Sequence, residues 1–242
     1  MNDIIRKRKF IRKYDQCKLD AATLEKVLER IKSVTPLYPE ISYSIEITDK
    51  TSGLVNVKAP HYLRFGSEEK DGAFENIGFV GQQLDLFFSS SGLGSCWLGM
   101  GKTEGKEGSA LPYVISMAFG KPAEPLHRDV TEFKRKTLAD ISSGTDGRLE
   151  AARLAPSARN KQGWFFAAKD GKIHCYREKQ GALLGSFMNK LGAIDMGITL
   201  YHIASETCDF RFTSENSPDV PDDVPKGFFY LGTALGAELK DL

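Results

Sequence analysis

The chain has 242 residues, of which 33 are basic and 32 acidic, leaving a formal net charge of +1, with 41% hydrophobic and 27% charged side chains. That balance excludes a disordered chain, and bulk charge gives no sign of a nucleic-acid or membrane-surface protein. No apolar run approaches the roughly 20 residues of a membrane helix, and the start, Met1 to Arg6, lacks a secretory signal, so a soluble cytoplasmic protein is expected.

The first distinctive segment is basic. Between Arg6 and Lys13, six of eight residues are cationic, but Phe10, Ile11 and Tyr14 are interleaved with them. A bare solvated arm would not need those side chains; the pattern predicts a segment docked on a core with its charges toward an anion such as a phosphate. Leu24, Val27, Leu28 and Ile31 recur at helical spacing behind a candidate N-cap, Asp20, and the helix should end near Thr35-Pro36. Ile41, Tyr43, Ile45 and Ile47 then alternate as in a strand, and Ala59 to Leu63 is strand-like.

Residues 77–91 read as a helix and lead into Ser89 to Thr103, a glycine-rich stretch. Gly101-Lys102-Thr103 looks like the end of a phosphate-binding P-loop, but Cys96 stands where that motif needs a glycine and no buried strand precedes it. The glycines are instead expected to let backbone approach a ligand. Tyr113 to Gly120 is an apolar strand, and either Pro122 to Asp129 or Ser142-Ser143-Gly144 reads as a hinge. The helix from Leu149 to Leu154 stops at Ala155-Pro156, where a polar loop runs to the strand Trp164 to Ala167; a helix over 191–205 and a strand from Phe228 to Gly236 follow.

These elements repeat. Residues 77–91 lie over residues 191–205 with Gly78 on Gly192, Leu86 on Leu200 and Ser91 on Ser205. Each half then reads helix, strand, helix, strand, which predicts an internally duplicated α+β chain with halves 1–141 and 142–242. The cysteines at 17, 96, 175 and 208 form no C-x-x-C pair and have no histidine at ligand spacing, so reduced thiols and no metal site are expected. The scattered His61, His127, His174 and His202 are expected to be surface or satisfied core residues.

In this order the segments resemble the FMN-dependent nitroreductase family. R-K-F-I-R-K-Y-D at residues 8–15 is similar to its opening arginine motif, A-P-S-A-R-N-K-Q-G-W at 155–164 to its A-P-S-x-x-N-x-Q-P-W motif, and G-L-G-S-C-W-L-G at 92–99 to its glycine loop. Ala118 to Pro122 followed by Phe133 to Leu138 is similar to its last strand and closing basic motif. Ordinary members are dimers with FMN at the interface. Here the first half has Thr35-Pro36-Leu37-Tyr38 at the A-P-S position and the second has Ser205-Glu206-Thr207-Cys208 at the glycine-loop position. One set of motifs is thus split over two halves, as in a single-chain pseudo-dimer with one live and one lapsed flavin site.

The resemblance implies residue roles. Arg8, Lys9, Lys134 and Arg135 would hold the FMN phosphate, and Arg12 would place positive charge by the pyrimidine ring. Pro156, Ser157 and Asn160 would line the flavin from the second half, Trp97, Leu98 and Gly99 would approach its redox-active nitrogen, and Lys58 would touch the ring edge. Phe10 replaces a family serine and Gly163 a family proline. The implied function is electron transfer from NADH or NADPH through FMN to a small-molecule acceptor such as a nitroaromatic or quinone. No catalytic side chain is nominated, and neither nucleic acid nor membrane is expected as a partner; monomer and homodimer both stay open. The alternatives are a flavin-binding or redox-sensing protein with little turnover, and a nucleic-acid or lipid binder using the basic N-terminus.

Overall fold

A computed structural model describes residues 3–52, 57–105, 111–179, 181, 185–214 and 223–239. They form, in order, α1 (Asp3–Lys7), α2 (Ala21–Ser33), β1 (Tyr43–Thr48), β2 (Thr51–Ser52), β3 (His61–Ser67), α3 (Ala73–Ser90), β4 (Gly94–Leu98), β5 (Lys102–Thr103), β6 (Tyr113–Gly120), α4 (Leu138–Ile141), β7 (Ser142–Ser143), α5 (Arg148–Leu154), β8 (Trp164–Lys169), β9 (Lys172–Glu178), α6 (Gly185–Ala204), β10 (Thr207–Thr213) and β11 (Phe228–Glu238). The chain divides into two compact units, Lys7–Val130 and Met1–Arg6 with Thr131–Leu242.

In the Lys7–Val130 unit, α2 starts where Asp20 Oδ1 accepts the Thr23 N–H at 2.8 Å and stops before Pro36. The sheet has the order β1-β3-β6-β4, antiparallel throughout. The other unit opens its repeat with α5 and builds the order β8-β9-β11-β10, with the two-residue β7 parallel on the outer side of β8. Taken in chain order, the two four-strand arrangements are the same. In both, the long helix, α3 or α6, connects the second and third strands. The duplication expected from residues 77–91 and 191–205 is therefore a duplication of topology, and the fold is α+β in two like halves.

Two details differ from expectation. The glycine-rich stretch is not all loop: Gly94–Leu98 is a strand paired with β6. Leu28, placed on the apolar stripe of α2, is 47% exposed while Val27 is buried. The strands β9 and β10 were not anticipated, and β10 carries little buried surface.

Buried α3 places polar side chains where the preceding chain needs them. Asn76 Oδ1 accepts the N–H groups of Leu37 and Tyr38 at 2.8 and 3.1 Å. Gln83 accepts the Thr35 N–H at 3.0 Å and donates to the Thr35 carbonyl at 2.7 Å. The Thr35-Pro36-Leu37-Tyr38 segment thus has its backbone groups satisfied inside its own unit. Removing the Asn76 amide leaves two N–H groups without their partner, so Asn76→Ala is expected to lower stability by about 1–3 kcal/mol in a urea melt.

Candidate functional site

The basic N-terminal segment is docked within the Lys7–Val130 unit. Ile11 and Tyr14 are buried, the Ile11 N–H donates to the Ser95 carbonyl at 3.0 Å, and the Arg128 and Ala123 N–H groups donate to the Lys7 and Lys13 carbonyls, both at 2.9 Å. Gly94 permits this docking: a Cβ there would lie 2.6 Å from that of Ile11. Gly94 thus makes room for Ile11.

Arg8 is 1% exposed, and its Nε lies 2.8 Å from Asp85 Oδ2, an ion pair buried on both sides. The same carboxylate accepts Ser95 Oγ at 2.6 Å and Gln82 Nε2 at 2.9 Å, and the guanidinium sits 4.6 Å from the Phe10 ring centroid. Phe10, standing in place of a serine, thus stacks on a buried cation, and Arg8 Nη1 has no hydrogen-bond partner. Lys9 reaches Glu124 at 3.8 Å with 22% of its side chain exposed, and Arg12 is exposed, with its backbone N–H on Glu124. Burial pushes the nearby Cys96 thiol up to about 11, against the pull of the Arg12 guanidinium. Trp97 is half-buried, stacked on Phe65 at 5.4 Å, with Leu98 buried behind it; Gly99 and Lys58 are exposed.

In the other unit, the closing basic motif and the A-P-S loop meet. Arg135 Nη1 donates to Asn160 Oδ1 at 2.6 Å and its Nε to the Ala155 carbonyl at 3.1 Å, placing a cation on the C-terminal carbonyls of α5. Asn160 Nδ2 donates to the Lys134 carbonyl at 2.6 Å, and the Lys136 N–H donates to Gln162 Oε1 at 2.9 Å. Pro156 and Ser157 are buried, and Ser157 Oγ accepts the Gln162 N–H at 3.0 Å. The Lys134 side chain is exposed. The turn is held in an uncommon backbone shape, with Arg159, Asn160 and Gln162 at φ of 53°, 56° and 50°. Asparagine tolerates that region, while arginine and glutamine there cost about 1 kcal/mol or more each.

Sequence reasoning missed the groups that hold these segments: Asp85, Gln162 and, on α6, Asp195. Both Asp195 oxygens lie 3.0 Å from the Ala158 nitrogen. A carboxylate alone in the apolar run from Leu191 to Ile203 was the available signal, since such residues are rarely buried without a task. The four histidines have ordinary partners: His61 Nε2 accepts the Leu19 N–H, and His127, His174 and His202 bond to Ser89, Thr233 and the Ala151 carbonyl. Among the described residues no group of His, Cys, Asp and Glu could hold a metal ion, and no helix is long and apolar enough to cross a membrane.

The repeated topology and these motifs define a nitroreductase-fold protein, and with it an oxidoreductase. The model of the family described as "Putative TM nitroreductase" matches residues 1–206, and the chain belongs to that family, whose membership implies flavin-dependent oxidoreduction. A solved structure described as a "putative nitroreductase" from Thermotoga maritima shares the fold at a TM-score of 0.64 and 18% identity, covering 98% of this chain and 93% of that one. An FMN-dependent nitroreductase from Clostridium difficile R20291 matches at a TM-score of 0.45 and 16% identity, covering 55% of this chain and 95% of that one. A nitroreductase family protein from Clostridium difficile 630 matches at 0.47 and 16%, covering 60% and 99%. No curated protein matches the sequence.

Proposed function

We propose that this protein binds one FMN per chain and uses it to pass electrons from NADH or NADPH to a small acceptor such as a nitroaromatic or quinone. The observation that carries this reading is the 2.6 Å contact between Arg135 and Asn160, which joins two segments nominated separately by their resemblance to flavin-binding motifs.

The donor set suits FMN after one exchange of roles. A phosphate needs cationic groups with an edge to offer. The Arg8 guanidinium is enclosed and has Nε and Nη2 on Asp85, so Nη1 is the one group it keeps for an anion. In the Lys7–Val130 unit Lys9 and Arg12 keep exposed surface to offer an anion, with Lys58 as a further candidate for the ring edge, and in the other unit Lys134 does the same. Arg135 and Asn160 then act by fixing the loop, and Pro156 and Ser157 by giving it a buried, rigid base. The exposed backbone at Gly99, held in place by Trp97 and Leu98, supplies the approach to the ring. FMN, when bound, supplies the hydride and electron chemistry, and the chain supplies binding, orientation and charge.

The lapsed counterpart, Thr35 to Tyr38, has its backbone donors taken by Asn76 and Gln83, which supports a stoichiometry of one. The test is the visible spectrum of the purified protein together with chromatography of the released cofactor. A yellow protein releasing about one FMN, with NAD(P)H oxidation in the presence of an acceptor, is the expected result. Two FMN per chain would overturn the single site. A protein that stays colourless with added FMN would overturn the flavin reading.

A further inference from the structure

Asp195 is used by nothing described so far except the loop it touches. It lies on α6 at 9% exposure, beside a small cavity lined by Ala158, Lys161, Gly163, Met188, Leu191 and Gly192. Among the described residues its hydrogen-bond partner is the Ala158 N–H, and no cation pairs with it. The charged groups around it are committed elsewhere. Lys161 Nζ lies 3.1 Å from Glu178, and the Arg177 guanidinium beside Gly192 donates to the Asn189 carbonyl. On α5, Arg153 is paired with Glu150 and Arg148 with Asp146. Neither Lys190 on α6 nor Arg159 in the turn makes an ion pair with Asp195.

The repeat shows what is unusual here. In both units the long helix supplies the side chain that holds the backbone N–H groups of the loop before the first sheet strand. In the Lys7–Val130 unit the holders are neutral amides, Asn76 and Gln83. In the other unit the holder is a carboxylate, and it grips Ala158 just before the residues at positive φ. Position 195 corresponds to Gly81 in the repeat, where a Cβ would meet the Trp97 ring at 2.2 Å, so the lapsed unit has no room for this device. An amide would hold the turn with less desolvation cost; a carboxylate adds a response to protons.

We propose that Asp195 is a positioning residue for the Ala155–Gly163 loop, holding its left-handed turn through Ala158 while ionised and letting the turn relax when protonated. The proposal rests on reading that loop as a wall of the flavin site, so FMN binding should follow the same proton. A charge-assisted bond exceeds a neutral one by about 1 kcal/mol, which is about a five-fold change in the closed fraction. Burial raises the Asp195 carboxyl to about 7, with the Ala158 N–H pulling the other way, so the change falls in an accessible range.

The test is hydrogen exchange of peptides spanning 156–163 in the full chain from pH 6 to 8, expressed as protection factors, for wild type, Asp195→Asn and Asp195→Ala. Wild-type protection is expected to fall about five-fold on acidification, that of Asp195→Asn to stay level, and that of Asp195→Ala to be low at every pH. A wild-type profile without pH dependence, or one shared with Asp195→Asn, would overturn the proposal. FMN titration of the same proteins separates the two readings. Loop protection that follows Asp195 without any FMN binding keeps the latch and removes the flavin reading, whereas FMN binding over a pH-independent loop does the reverse.

Discussion

Replacing Arg8 with alanine is expected to lower folding stability by about 3–5 kcal/mol, far more than the loss of Lys9 or Arg12. The reason is Asp85. Both members of the pair are 1% exposed, so removing the guanidinium leaves a buried carboxylate whose remaining donors are Ser95 and Gln82. Phe10 also loses the cation stacked on it. Half-buried Lys9 and exposed Arg12 do not share this burden, and Lys9→Ala or Arg12→Ala should change stability by less than about 1 kcal/mol. Urea denaturation of the three variants decides between two readings of the motif. If Arg8 serves a phosphate, its loss should weaken FMN binding and leave stability nearly intact. If it is a folding element, as its burial indicates, stability collapses. A drop of under about 1 kcal/mol for Arg8→Ala would sink the structural reading.

The sequence carried the large-scale organisation well because duplication, apolar spacing and strand alternation are local patterns. The helix pair at 77–91 and 191–205, the strand Tyr113 to Gly120 and the Asp20 cap all lie where local chemistry places them. The motif positions were legible for the same reason. What each motif residue touches was not, because partners lie far along the chain: Arg8 meets Asp85 across 77 positions and Arg135 meets Asn160 across 25. β4 was hidden for a related reason. Glycines suggested an open loop, yet Gly94 is small because Ile11 packs over a paired strand. The halves 1–141 and 142–242 are proposed as units of descent; compactness instead divides the chain after Val130, and the two criteria need not coincide.

Asp195→Asn is expected to abolish the fall in stability with rising pH that this carboxyl contributes. In the unfolded chain this carboxyl titrates near 3.8, and in the fold near 7, because burial penalises its charge more than the Ala158 N–H favours it. Between those values the native state holds a proton that the unfolded state has lost, so this residue makes stability fall as pH rises from about 4 to about 7, and level off above. That is opposite to a carboxylate in a good ion pair. The asparagine variant lacks the slope and should exceed wild type at pH 8 by on the order of 2–4 kcal/mol, since each tenfold change in proton affinity is worth about 1.4 kcal/mol. Denaturant midpoints of both proteins at pH 5 and pH 8 check this, and a difference that does not grow with pH would refute it. An isosteric amide would improve the fold by that margin, so the carboxylate costs the fold stability. Global stability and order of the Ala155–Gly163 loop should then move in opposite directions with pH: ionisation weakens the unit as a whole while tightening the turn that Ala158 anchors.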